Sequence, residues 1–233
     1  MKKLIKCHLK YIFNKTSLSI YIILSVCVFI MNIFIIFNID DRQGIQLTYM
    51  SYLNGTLPLC EIIGVFFTII FFSYPFTSKQ DQYILLVINE RYNKSNYYMA
   101  KYFCLFMICL KFIVIEFLIF YVPFLMFSEA KYISIKSLQM FVDIFLIYIY
   151  YGNISLLLII IFDNIYMIII SFSLYVFSNN LSDNSSLINN MIDKILISMN
   201  KEKWVLECSY SYIVFMIMLL FVINYLIYQK KDF

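Results

Sequence analysis

Histidine occurs once in this 233-residue chain, glycine only four times, and charged residues make up just 14%. The single histidine, His8, rules out an HExxH pair or any site built on two histidines. The four glycines, Gly44, Gly55, Gly64 and Gly152, form none of the clusters with which a phosphate loop or a dinucleotide fold approaches its ligand. Any nucleotide chemistry must therefore come from another chain. No GxSxG elbow is present, which with the missing histidines removes the common intramembrane hydrolases. The six cysteines are scattered, with no CxxC and no zinc spacing. Most lie in or beside apolar runs, where cysteine behaves as a small hydrophobe.

What replaces charge is apolar mass. Hydrophobic residues reach 63% and aromatics 20%, against about 45–50% apolar and about 25% charged in a soluble domain. Too little polar surface remains to keep a globule in water, so the composition specifies an all-α polytopic membrane protein. A hydrocarbon core needs about 20 mostly apolar helical residues. Six apolar runs are read as spans, the fifth of them short: 18–37, 57–76, 99–127, 138–162, 165–178 and 210–228. The fourth and fifth are separated only by Asp163-Asn164. A reversal at Gly152-Asn153 instead would leave too short a run before it, so the turn is expected at Asp163. No small-residue cleavage site follows the first run, which reads as a retained span. No internal repeat is visible, which argues against an inverted-repeat carrier.

Six spans put both ends on one side, and the basic residues say which. With the N-terminus inside, the cytosolic segments hold Lys2, Lys3, Lys6, Lys10, Lys15, Lys79, Arg91, Lys94, Lys101, Lys230 and Lys231. The outer segments hold only Arg42, Lys131, Lys136, Lys194, Lys201 and Lys203. Of the 14 acids, seven fall in the outer segments and four in the cytosolic ones, and Lys111 lies within a span. The expected topology is N-in, C-in.

Three stretches outside the spans have helical character. In residues 1–16, Lys3, Lys6 and Lys10 share one face and Ile5, Leu9 and Ile12 the opposite one, as in a basic helix lying on an anionic leaflet. The plainer alternative is a charged flank that fixes topology. In the cytosolic segment 79–91, the apolar block 83–88 is flanked by Asp81 and by Glu90-Arg91. A helix there places Tyr83, Val87 and Glu90 or Arg91 along one side, which suits a groove on a partner protein or, alternatively, the membrane surface. Residues 185–200 carry an apolar stripe, with Ser185 or Ser186 as a cap, and are expected over the outer face.

Two ionisable residues, Lys111 and Glu116, fall near the middle of the third run. Such a group costs about 2.5–3.5 kcal/mol on insertion unless it faces the bundle interior or water. Five residues apart, they sit ~140° around the helix and do not pair within it. They are the candidate residues of a substrate path, or interhelical contacts. Glu61 and Asp143 lie nearer span ends and are expected to snorkel to the interface.

Taken in order, these features resemble the ABC-2 type permease family, the membrane half of ATP-binding-cassette exporters. An elbow (1–16) precedes span one, a coupling helix (79–91) joins spans two and three, and Lys101 opens span three. Spans four and five are joined tightly, an outer helix (185–200) precedes span six, and the chain ends Lys230-Lys231-Asp232-Phe233. The family often has a glutamate just after span two; here the nearest acid is Asp81. In size and composition the chain looks most like the permeases of Gram-positive phenol-soluble-modulin exporters. The resemblance implies a non-enzymatic chain that binds no nucleic acid and pairs with a second permease chain, identical or related. Cytosolic ATPase subunits would hold ATP and magnesium. It further implies ATPase coupling through Asp81, Tyr83, Val87, Glu90 and Arg91, and export of an amphipathic or hydrophobic peptide. The alternatives are a bacteriocin self-immunity permease and, from a different class, the substrate-binding membrane component of a small-molecule importer. The latter lacks a long coupling loop.

Overall fold

The computed structural model describes residues 22–23, 25–30, 33, 49–77, 93–127, 135–181 and 210–230. Regular structure among them is entirely helical. We label the helices α1 (Tyr49–Ser73, continued by a 3-10 turn at Tyr74–Phe76), α2 (Lys94–Phe127), α3 (Ile135–Phe162), α4 (Met167–Leu181) and α5 (Tyr210–Lys230). Three stretches are long and apolar enough to cross a membrane: Lys94–Pro123, Gln139–Phe162 and Tyr212–Lys230. Glu61–Phe76 and Met167–Phe177 are apolar but shorter. This is the make-up of a membrane protein. The segments 1–16, 79–91 and 185–200 lie outside the described residues, as do most of 18–37.

Local chemistry accounts for the helix ends. Pro75 lacks the N–H an α-helix needs and restricts the residue before it, so α1 tightens into the 3-10 turn and Thr77 turns extended. The chain reverses after α3 at Asp163, whose φ of 51° is left-handed, a conformation Asp and Asn tolerate better than other side chains. The Asp163 N–H donates to the Ile159 carbonyl at 2.8 Å and closes α3. Asn164 then caps the next turn, accepting from the Tyr166 N–H at 3.0 Å through its side chain. Gly152 is not a reversal point but lies inside α3.

Helix α3 is the hub. It packs against α1, α2, α4 and α5, and 67% of its span is buried, against 39% for α2 and 22% for α5. Lipid tails are as apolar as Leu, so apolar side chains alone give helices little reason to associate in a bilayer. Close approach and interhelical hydrogen bonds must supply it. α3 is the helix that carries both, in the run Tyr148-Ile149-Tyr150-Tyr151-Gly152-Asn153-Ile154-Ser155. Gly152 takes the Phe72 ring so closely that a Cβ would lie 2.9 Å from it. Tyr148, Tyr151, Asn153 and Ser155 are buried.

Candidate functional site

Three polar layers run through the described bundle, each tying α3 or α5 to helices far away in sequence. The first is at the end where α1 finishes, α2 begins and α5 finishes. Lys101, 1% exposed, donates from Nζ to the Pro75 carbonyl, which the Pro75-containing turn leaves without a helical partner. Its ammonium stands 4.5 Å from the Phe76 ring centre and 4.6 Å from that of Tyr97. Lys94 Nζ donates to the Gln229 carbonyl at 3.0 Å, near the C-terminus of α5, where a cation also suits the helix dipole. Phe76, Tyr98 and Tyr228 meet edge-on or tilted, at centroid distances of 5.1 to 5.7 Å. Ser95 and Tyr225 share a hydrogen bond of 2.8 Å.

The second layer is amide and hydroxyl. Asn153 Nδ2 donates to the Tyr102 hydroxyl at 2.9 Å and to its own helix at the Ile149 carbonyl at 2.8 Å. Asn224 Nδ2 donates to the Asn153 carbonyl at 3.0 Å. A donor to that carbonyl fixes which end of the Asn224 amide is nitrogen. Beside this knot the Ser73 and Ser155 hydroxyls are hydrogen-bonded, and Ser155 Oγ reaches the Ile69 carbonyl at 3.2 Å. α1, α2, α3 and α5 are thereby joined at one level.

The third layer holds carboxyls. The Tyr148 hydroxyl sits 2.9 and 3.0 Å from the two oxygens of Glu116, and Tyr175 donates to Glu61 Oε1 at 2.9 Å. Gly64 makes the first contact possible: a Cβ there would overlap the Tyr148 hydroxyl and lie 2.9 Å from Glu116 Oε1.

The two mid-span residues singled out in the sequence separate. Glu116 is 8% exposed, inside the bundle, whereas Lys111 is exposed, as their ~140° angular offset requires. Glu61 and Asp143, expected at the interface, are both 4% exposed. Snorkelling is corrected here because their helices turn these side chains inward, Glu61 onto the hydroxyl of Tyr175. Asp81, Tyr83, Val87, Glu90 and Arg91 lie outside the described residues. Tyr102, Tyr148, Asn153, Tyr175 and Asn224 were not singled out in the sequence. An asparagine in an apolar run, as at Asn224, was the available signal, because polar groups in spans turn toward protein.

Among the described residues no three His, Cys, Asp or Glu side chains gather as metal ligands. Most donors and acceptors in the layers are engaged with one another, an arrangement that positions helices, while Tyr98 Oη and Asn224 Oδ1 are buried without a hydrogen-bond partner among the described residues. No family model, curated protein or solved structure matches the chain.

Proposed function

We propose that this chain is the permease subunit of an ATP-driven exporter of the ABC-2 type. It carries amphipathic or hydrophobic peptides out of a bacterial cell, through six spans with both ends cytosolic. It works with a second permease chain and with cytosolic ATPase subunits that hold ATP and magnesium, and segment 79–91 is the piece the ATPase grips.

One observation supports this reading above the others. The stretch between Thr77 and Asn93 leaves from and returns to a base fastened three ways. Lys101 clasps the end of α1, Lys94 clasps the end of α5, and Phe76, Tyr98 and Tyr228 fill the space between. A loop that only joined two spans would need no such root. A loop that transmits force does, because a displacement is passed on only through elements that cannot yield. The high aromatic content, 20% of residues, supports an apolar cargo, since flexible and aromatic side chains repack around varied apolar partners.

The test is co-purification of the affinity-tagged full chain from its native membrane in mild detergent. An ATPase bearing a Walker motif, in stoichiometric amount and stimulated by amphipathic peptides, is the expected result. A chain that purifies without any ATPase sinks the exporter reading and leaves an immunity or capture role.

A further inference from the structure

Glu116 lies within a span, buried, with the Tyr148 hydroxyl 2.9 Å from one of its oxygens and 3.0 Å from the other. A hydroxyl has a single hydrogen, so against a carboxylate it fills one of those two contacts well and not both. Against a carboxylic acid both are filled: the hydroxyl donates to one oxygen and accepts from the O–H of the other. On another side α1 closes over the group at Gly64, where a Cβ would lie only 2.9 Å from Glu116 Oε1. Little room is left there for the water that a carboxylate needs. We infer that Glu116 carries a proton while the bundle is packed, and that the Glu116–Tyr148 joint is a switch which opens as water takes that proton. This holds whatever the chain carries and adds to the exporter reading a proton-linked change of packing.

The surroundings do nothing to hold the charged form. From α1 the carboxyl faces Glu61, about one turn from Gly64. From its own helix it faces Cys109, buried and about two turns away on the same side. Tyr148 is the facing group on α3, where Asp143 is a further buried acid, and Tyr175 on α4 is bonded to Glu61. α5 brings Ile213, Ile217 and Leu220 to the cluster around Tyr148. None of these groups can become positive. Among the described residues no lysine, arginine or histidine bonds Glu116, and Lys111 is on the exposed side of α2, ~140° away. A carboxylate enclosed in this way, with a second acid beside it, is costly in a span, and a proton removes the cost. When α1 and α3 part far enough to admit water, the O–H bond of the acid breaks and the proton passes to water. The electron pair stays on the carboxylate, to which Tyr148 then donates a single bond. Because the packed form holds one proton more than the wetted form, lower pH favours packing and higher pH favours opening.

Infrared spectroscopy of the full chain in phosphatidylcholine nanodiscs near neutral pH, where a carboxyl in water is ionised, tests this without any ATPase. Glu116→Gln keeps one donor and one acceptor for Tyr148, so the joint should survive the substitution. The spectrum of wild type minus that of Glu116→Gln should contain the carbonyl stretch of a protonated carboxylic acid. Carboxylate stretches in its place overturn the proposal. Tyr148→Phe leaves the carboxyl untouched and should shift the acid band to higher frequency, since its carbonyl loses a donor. A band unchanged in position would show that Tyr148 does not hold the acid, and overturns the switch. The third reading is thermal unfolding in detergent over a series of pH values. The unfolding constant should rise about tenfold more per pH unit for wild type than for Glu116→Gln, the mark of one proton released on opening. Equal slopes overturn the link between the proton and the packing.

Discussion

The hydroxyl of Tyr148 on α3 stands between the two carboxylate oxygens of Glu116 on α2, at 2.9 and 3.0 Å, and both side chains are buried. A lone carboxyl inside a span is thereby turned into a joint between two helices. Removing the hydroxyl alone, in Tyr148→Phe, leaves a buried acceptor without this donor, at a cost of about 1–3 kcal/mol. Thermal unfolding in detergent should show the loss. Glu116→Gln, which keeps an acceptor for Tyr148, should lose less. Equal melting of wild type and Tyr148→Phe would mean the joint contributes nothing.

Gly64 is the clearance for that joint. Gly64→Ala places a methyl where the Tyr148 hydroxyl lies, and overpacking of this kind costs about 1–3 kcal/mol. Folded yield should fall. Combining it with Tyr148→Phe should recover part of the loss, because one of the colliding atoms is gone. Additive losses in the double variant would show that the two positions do not collide.

Asn224→Leu removes the donor to the Asn153 main-chain carbonyl that ties α5 to α3. Interhelical bonds of this kind contribute about 0.6–2 kcal/mol in membranes. Thermal unfolding in detergent should show a loss within that range, and no loss would leave packing alone to hold α5.

Lys101→Met keeps the aliphatic stem and removes the ammonium from the Pro75 carbonyl and from the Phe76 and Tyr97 rings. The root of the 78–92 segment should loosen. Limited proteolysis should cut there faster while the variant remains inserted in the membrane. An unchanged cleavage rate would show that Lys101 does not hold the root.

If segment 79–91 docks in an ATPase groove, large apolar side chains on it bury about 1.5–3 kcal/mol each. Replacing Tyr83 and Val87 together by serine should then release the ATPase or uncouple it from transport, with insertion unaffected. Arg91→Glu, at a rim position, should do less and in a salt-dependent way. A double serine variant that still carries a fully coupled ATPase would reduce the segment to a membrane-surface helix.

Much of the scaffold was legible in the chain itself. Membrane character follows from composition, because 14% charge cannot cover a water-facing globule. Local punctuation separates α3 from α4 at Asp163-Asn164. These are properties of neighbours along the chain. Which way a span faces is another matter. In a soluble helix the buried side shows as an apolar stripe, but a helix apolar all round carries none, since lipid and bundle interior ask for the same side chains. Only the polar exceptions hint at orientation, and they mislead singly. Glu61 and Asp143 look placed to snorkel and are instead enclosed, and Lys111 and Glu116 look alike and face different surroundings. Gly64 and Tyr148, 84 positions apart, mean nothing to each other until α1 and α3 cross. That crossing, and with it the choice of α3 as hub, was decided by tertiary structure alone, because close approach and buried hydrogen bonds are relations between helices.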